Sequence, residues 1–461
     1  MERRNAWKTY TEEELTELEQ LAKAYRSFLD HGKTERECAA QTAELAEKAG
    51  YISLAQAKKD GRKLTAGDKV YAVGMEKTVA LYQIGTEPIA EGMNILCAHI
   101  DSPRLDIKQN PLYEDTELAY LDTHYYGGIK KYQWVAQPMA LHGVVVKKDG
   151  KKLTFAIGEE ESDPVVGVTD LLIHLAAEQM DKKAGKVVEG ENLDILIGSR
   201  PLTGTKEEKD LVKANILAIL QDRYGMEEED FLSAELEIVP AGHARDFGLD
   251  RSMVIAYGQD DRVCAYTSLA AMLNFRVGRR TACCLLVDKE EIGSVGATGM
   301  ESRFFENTTA EIMDLAGQYS ELALRRCLAG SKMLSSDVSA ALDPLYAGCF
   351  EKKNSAYFGR GMVFNKFTGA RGKSGSNDAN AEYVAEVRAM MDKHKVAFQT
   401  AELGKVDVGG GGTIAYIAAL YGMQVIDSGV AVLSMHAPYE ITSKADIYET
   451  RKGYTAFLTE A

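Results

Sequence analysis

The chain has 461 residues, 45% of them apolar and 27% charged, with 54 Lys and Arg against 69 Asp and Glu. A net charge of −15 argues against nucleic acid or an anionic membrane surface as the main partner. The length exceeds one ordinary core, so two domains, or one with a large insertion, are expected.

From Tyr10 to about Ala49 the chain is rich in Glu, Ala, Leu and Lys at helical spacing. Thr11-Glu12-Glu13-Glu14 reads as a capping box, and a second helix start falls at Thr34. Residues 69–83 read as strands, and the apolar run Met93–Ala98 is a further, buried strand leading into His99. From Tyr113 to about Val239 the texture changes. Leu141–Val146 and Lys152–Phe155 flank Asp149-Gly150, a hairpin signal. A helix is expected at Thr169–Met180, and loops through Lys206–Asp230. Residues 111–239 therefore read as an inserted, smaller β-rich domain. After Pro240 strand–helix alternation returns, with helices expected at Asp261–Asn274, Ala310–Ala329 and Ala379–His394. Such alternation predicts an α/β fold, a doubly wound mixed sheet with helices on both faces, built from residues 1–110 and 240–461.

Seven cysteines, an odd count with no C-x-x-C pair, point to a reducing compartment. The segment Met1–Trp7 lacks the apolar stretch of a signal peptide, and no apolar run approaches the ~20 residues that span a bilayer. A cytoplasmic location and no membrane partner are expected.

Five metal-type ligands each follow a short apolar run: His99, Asp260, Glu291 (beside Glu290), Asp337 and His436. Ligands in open α/β sheets gather outside the carboxyl ends of strands, so the pattern predicts a metal site at one edge of a single sheet. Taken singly, each residue has a plainer role: a core histidine, a helix-capping Asp, a pair of solvated glutamates. The common placement at strand ends is what favours a metal. His99-Ile100-Asp101 lets Asp101 hold a metal-bound imidazole in one tautomer. Of the doubled Asp260-Asp261, one carboxylate suits a metal and the other the helix cap. Of Glu290-Glu291, one can ligate while its neighbour serves as general base. Two imidazoles and three carboxylates suit zinc, and with one bridging carboxylate they can hold two ions ~3.5–4 Å apart. Glu290 is then left as the base.

Gly410, Gly412 and Ala415 form a G-x-G-x-x-A pattern within 409–415, which opens a second reading, a nucleotide-binding oxidoreductase. Close backbone approach at a substrate pocket, through Gly412 and Thr413, is the simpler reading of the same glycines. A non-catalytic shell or cargo-binding protein is a third reading, and an N-deacylase with the same metal chemistry is a fourth.

Ala98-His99-Ile100-Asp101-Ser102-Pro103, Asp260-Asp261, Glu290-Glu291-Ile292-Gly293-Ser294, Asp337 and Ser434-Met435-His436, in this order, resemble the M18 family of metalloaminopeptidases. The resemblance covers nearly the whole chain. It implies a zinc-peptidase-like fold and two zinc ions per subunit, with cobalt or manganese as substitutes. One ion would be held by His99, Asp260 and Asp337. The other would be held by Asp260, Glu291 and His436. Glu290 would be the base, with Asp101 orienting His99. It also implies peptide substrates, a dimerising insertion, and dimers assembling into a tetrahedral dodecamer. A partner-subunit histidine reaching the site would correspond to Val168–His174, at His174 or Asp170. The family's D-x-x-H-A reads Asp337-Val338-Ser339-Ala340-Ala341 here, so a histidine is missing at Ala340. Lys366 is the candidate cation for an acidic N-terminal side chain.

Overall fold

The computed structural model describes residues 4–204, 209–369 and 372–461. Residues 1–3 of the N-terminal segment, and 205–208 of the Lys-rich stretch, lie outside the described residues. Helix starts follow their caps. Thr11 opens Glu12–Asp30 and Thr34 opens Glu35–Lys48, each through a reciprocal capping box with a glutamate three residues on. The chain divides into two units, Met1–Asp101 with Ala244–Met435 and Glu440–Ala461, and Ser102–His243 with His436–Tyr439.

The first unit is built on a nine-stranded mixed sheet. Its central strands Thr281–Val287, Met93–His99, Lys332–Ser336 and Gln424–Gly429 lie side by side and parallel. Val287 is level with His99, so these strands end at one edge. Successive side chains point to opposite faces. Leu96, Ala98, Cys284 and Leu286 pack with Val263, Leu269 and Phe457, from the helices Gln259–Asn274 and Lys444–Glu460. Ile95, Cys97, Cys283 and Leu285 pack with Ile312 and Leu328, from Phe304–Leu315 and Glu321–Gly330. Helices thus cover both faces. A separate five-stranded sheet orders Arg245–Phe247, Met253–Ala256, Glu440–Ser443, Ala431–Leu433 and Ser339–Ala340.

The second unit carries a six-stranded antiparallel sheet, including the expected hairpin as Met139–Val146 paired with Lys152–Ile157. It extends further than residues 111–239, because Arg104–Asp115 pairs with Ala234–Pro240 within one sheet.

Three expected elements differ. Thr169–Met180 is not one helix: a single 3-10 turn at Ile173–Leu175 precedes the short helix Ala177–Met180. The expected loop over 206–230 contains a helix, Leu211–Tyr224, closed by left-handed Gly225. Ala310–Ala329 is two helices, because Gly317 turns left-handed and Ser320 caps the second.

Candidate metal centre

His99 ends a strand that is buried throughout. Its Nδ1 lies 3.2 Å from Asp101 Oδ1 and 3.1 Å from the Asp101 carbonyl oxygen. A proton on Nδ1 is donated to Asp101, which leaves the Nε2 lone pair facing inward. Nε2 lies 3.3 Å from Asp260 Oδ1 and 3.8 Å from Glu290 Oε2.

Asp260 lies in the first turn of the helix Gln259–Asn274, which follows the strand Met253–Ala256 of the five-stranded sheet. The site is therefore not built on the edge of one sheet, as the sequence pattern suggested. Strand periodicity reveals a strand but not which sheet it joins. Buried polar side chains fix the backbone here. Gln259 donates to the carbonyls of Val254 and Glu440 and accepts from the hydroxyls of Tyr25 and Thr442. Glu440 accepts the Asp260 N–H at 2.9 Å. The two aspartates face different partners: Asp260 Oδ1 lies near His99 Nε2, while Asp261 accepts the His99 N–H at 3.3 Å instead of capping the helix.

After Val287 the chain turns through left-handed Lys289 into the 3-10 turn Glu290–Ile292. The Asp101 carboxylate accepts both N–H groups of that turn, Glu290 at 3.1 Å and Glu291 at 3.2 Å. One buried carboxylate thus orients the imidazole and positions the paired glutamates. Asp337 directly follows the strand Lys332–Ser336, and its N–H donates to the Ser428 carbonyl at 3.0 Å. A Cβ on Gly429 would lie 1.9 Å from the Asp337 carbonyl oxygen, so only glycine admits this approach.

Ligand atoms of His99, Asp260 and Asp337 all lie within 4.8 Å of one another, and those of Asp260 and Glu291 within the same distance. His436 belongs to the short segment His436–Tyr439 of the second unit, with its Nδ1 2.6 Å from the Gly128 carbonyl oxygen.

Electrostatics test whether this donor set fits a cation. Burial raises the Asp337 pKa well above the carboxylate range, and the charges of Glu290 and Asp261 raise it further. Burial, then repulsion from Asp260, also raises Asp261. Burial would lower the His99 pKa, but hydrogen bonds to Asp101 and Asp260 and the Glu290 charge outweigh it, and the pKa is raised. Acidic groups crowd one imidazole, and protons are drawn in to offset their charge. A divalent cation offsets the same charge, and zinc accepts this N/O set.

The remaining expected residues are placed as follows. Lys366 Nζ pairs with Asp378 Oδ1 at 2.9 Å. Thr413 donates its hydroxyl to the buried Asp427 at 2.6 Å, and a Cβ on Gly412 would meet open space. His174 lies exposed in the turn Ile173–Leu175. The dinucleotide fingerprint fails, because no strand leads into the glycines and the helix after them, Ala415–Ala419, has five residues. Sequence reasoning passed over Glu440 and Gln259, which hold Asp260. Asp427, the acidic residue that accompanies the dinucleotide-like glycine pattern, is buried, which pushes its carboxyl up to about 7. It directly follows the apolar pair Val425-Ile426.

Residues 28–458 match the family described as aminopeptidase I zinc metalloprotease (M18). A probable M18 family aminopeptidase 1 of Clostridium acetobutylicum is 61% identical over 457 residues, covering 99% of this chain and 98% of that one. The crystal structure of an M18-family aminopeptidase from Thermotoga maritima superposes with a TM-score of 0.95 at 43% identity, over 100% of both chains. The S. cerevisiae mApe1 dodecamer shares the fold, with a TM-score of 0.75 at 19% identity over 95% of each chain.

Proposed function

The chain belongs to the M18 family of aminopeptidases, and on that premise we propose that it is a two-zinc enzyme removing the N-terminal residue from peptides. The observation that carries this reading is the His99–Asp260–Asp337 cluster, its first two members buried and Asp337 half-buried, with Glu290 beside it. His99, Asp260 and Asp337 would hold one ion, and Asp260, Glu291 and His436 the other. Zinc in such a site supplies Lewis acidity for the scissile carbonyl and a nucleophile at neutral pH.

The protein's own residues then handle the protons. Glu290 accepts a proton from the attacking water at its carboxylate and returns it to the leaving amine, as a general base and then a general acid. Asp101 fixes both partners of that step, through the His99 ring and the Glu290–Glu291 backbone. Its carboxylate stays an acceptor throughout. Lys366 is paired with Asp378, so it does not support a preference for acidic N-terminal residues, and none is proposed. The seven cysteines are all unpaired thiols, which supports a cytoplasmic location. No helix among the described residues is long and apolar enough to cross a membrane.

The intervening unit serves, in this reading, as a dimerisation domain, with dimers assembling into a tetrahedral dodecamer. Leu172 (52%), Ile173 (68%) and Leu175 (69%) stand exposed together on it, an apolar patch that self-association would cover. His174 or Asp170 from the same segment would reach the neighbouring site.

A panel of aminoacyl and N-acyl substrates, run with and without chelator and paired with elemental analysis, tests the chemistry. Two zinc ions per chain and chelator-sensitive aminopeptidase activity are expected. Full activity at near-zero metal, or turnover of N-acyl substrates alone, would overturn it. Light scattering at low micromolar concentration tests the assembly, and a fully active monomer would refute it.

A further inference from the structure

The edge strand Phe398–Thr400 of the nine-stranded sheet and the segment 352–360 line a cavity of about 680 Å3 that the chemistry above does not use. That volume is within the ~300–1,000 Å3 of small-molecule sites. Lys352, Lys353, Arg360 and Arg388 line it, and no acidic residue does, in a chain of net charge −15. Among the described residues none of the four makes an ion pair. The adjacent Glu351 is engaged elsewhere, accepting the Lys353 N–H at 3.2 Å and the Asn354 side-chain amide.

Buried groups with no catalytic task hold the backbone that carries these charges. Asp446, fully buried, accepts the N–H groups of Gly359 at 2.9 Å and Gly361 at 2.7 Å, on either side of Arg360. Gly361 is left-handed, and a Cβ there would meet the Ala397 carbonyl oxygen at 1.9 Å. Gln399 accepts the Tyr357 N–H and donates to the carbonyls of Tyr357 and Gly361. The Arg360 guanidinium lies over the Tyr357 ring at 4.3 Å, and the Tyr357 hydroxyl donates to the Lys352 carbonyl. The Arg360 guanidinium, the Tyr357 ring and the Lys352 backbone are thereby fixed with respect to one another before any ligand arrives.

We propose that this cavity binds a small multivalent anion of the condensed-phosphate class, a free polyphosphate or the phosphate chain of a nucleotide. Arg360 offers a forked, bidentate donor, and Lys352, Lys353 and Arg388 surround it with charge. An acidic peptide fits less well. It needs backbone partners, and the N–H groups of Tyr357, Gly359 and Gly361 are already taken by Gln399 and Asp446. A phosphate chain needs only cations and concentrates its charge within the cavity.

Calorimetry on the zinc-loaded full chain at constant ionic strength tests this with tripolyphosphate, ATP and tetraglutamate. Saturable binding of tripolyphosphate is expected, weakened at least tenfold by Arg360→Ala and by Lys352→Ala combined with Lys353→Ala. Lys148→Ala, an exposed lysine of the other unit, should leave it unchanged. Every variant carries the same zinc, so chelation contributes equally to all. Tighter binding of ATP than of tripolyphosphate identifies a nucleotide source, and equal or weaker binding an inorganic one; both support the proposal. Absence of saturable phosphate binding, indifference to the Arg360 and lysine variants, or tighter binding of tetraglutamate would overturn it.

Discussion

Asp101→Asn is the substitution that most directly tests how the centre is held together. Three polar groups converge on that carboxylate: the N–H of Glu290 on Oδ1, the N–H of Glu291 on Oδ2, and His99 Nδ1 at 3.2 Å from Oδ1. An amide keeps one acceptor oxygen and replaces the other with a donor. Whichever way it turns, one backbone N–H of the Glu290–Glu291 turn faces an NH2 group. A hydrogen bond to a charged group contributes roughly 1.5–3 kcal/mol, and a buried donor left unmet costs about 1–3 kcal/mol. The sum, about 2.5–6 kcal/mol, is an upper bound, since the turn can shift to relieve it. That shift carries Glu290 and Glu291 with it. Loss of such a supporting partner typically weakens metal binding ~10–100-fold. The expected outcome is therefore zinc lost at ~10–100-fold lower chelator concentration, with kcat still reduced when zinc is in excess, because Glu290 is misplaced as well. Chelator titration with elemental analysis and steady-state kinetics at saturating zinc read the two effects separately. Zinc affinity within threefold of wild type together with kcat within twofold would refute the reasoning.

Glu290→Gln keeps the shape but not the proton acceptor, so metal content should stay near wild type while kcat falls at least ~10²-fold; Glu291→Gln should instead lower metal occupancy. The reverse pattern would exchange their roles. Gly429→Ala would place a Cβ 1.9 Å from the Asp337 carbonyl oxygen. Overpacking of this kind costs about 1–3 kcal/mol or more, so zinc per folded chain and thermal midpoint should fall together. Burial pushes the Asp446 carboxyl up to about 8, although its bonds from Gly359 and Gly361 act to lower it. The folded state then binds a proton that the unfolded state, with a pKa of about 3.9, does not. Its contribution to stability is fully present below about pH 4 and is lost as pH rises through about 8. In urea unfolding, the midpoint deficit of Asp446→Asn should therefore shrink between pH 5 and pH 9, and a deficit that grows would contradict the assignment.

Legibility in the sequence followed the range of the interaction. Thr11 and Thr34 announce their helices because a capping box closes within four residues. His99 and Asp337 stand out in the sequence because a buried strand and its end are local events. Asp260 stands out for the same reason, yet the sheet of the strand before it was misassigned, since the pairing of Met253–Ala256 with Glu440–Ser443 joins residues far apart in the chain. Glu440 and Gln259 were invisible for a related reason. Glu440 is an ordinary polar residue until the fold brings Asp260 beside it, and so is Gln259 until the fold brings it Tyr25 and Thr442. Leu211–Tyr224 was missed because its apolar residues fall on all sides of the helix, so no amphipathic face stands out, although Tyr224-Gly225 is a good helix stop.

The divided origin of the first unit's ligands has a mechanical consequence. His99 and Asp337 stand at strand ends of the nine-stranded sheet, whereas Asp260 opens the helix that follows the strand Met253–Ala256 of the five-stranded one. An ion shared among them would act as a rivet, tying the chain that leaves the five-stranded sheet to the strand ends of the nine-stranded one. Whatever free energy binds zinc to the native chain then resists slippage of one sheet against the other. Stripping the metal should loosen that seam first, with amide exchange accelerating along Met253–Ala256 well before the strands Met93–His99 and Thr281–Val287 begin to open.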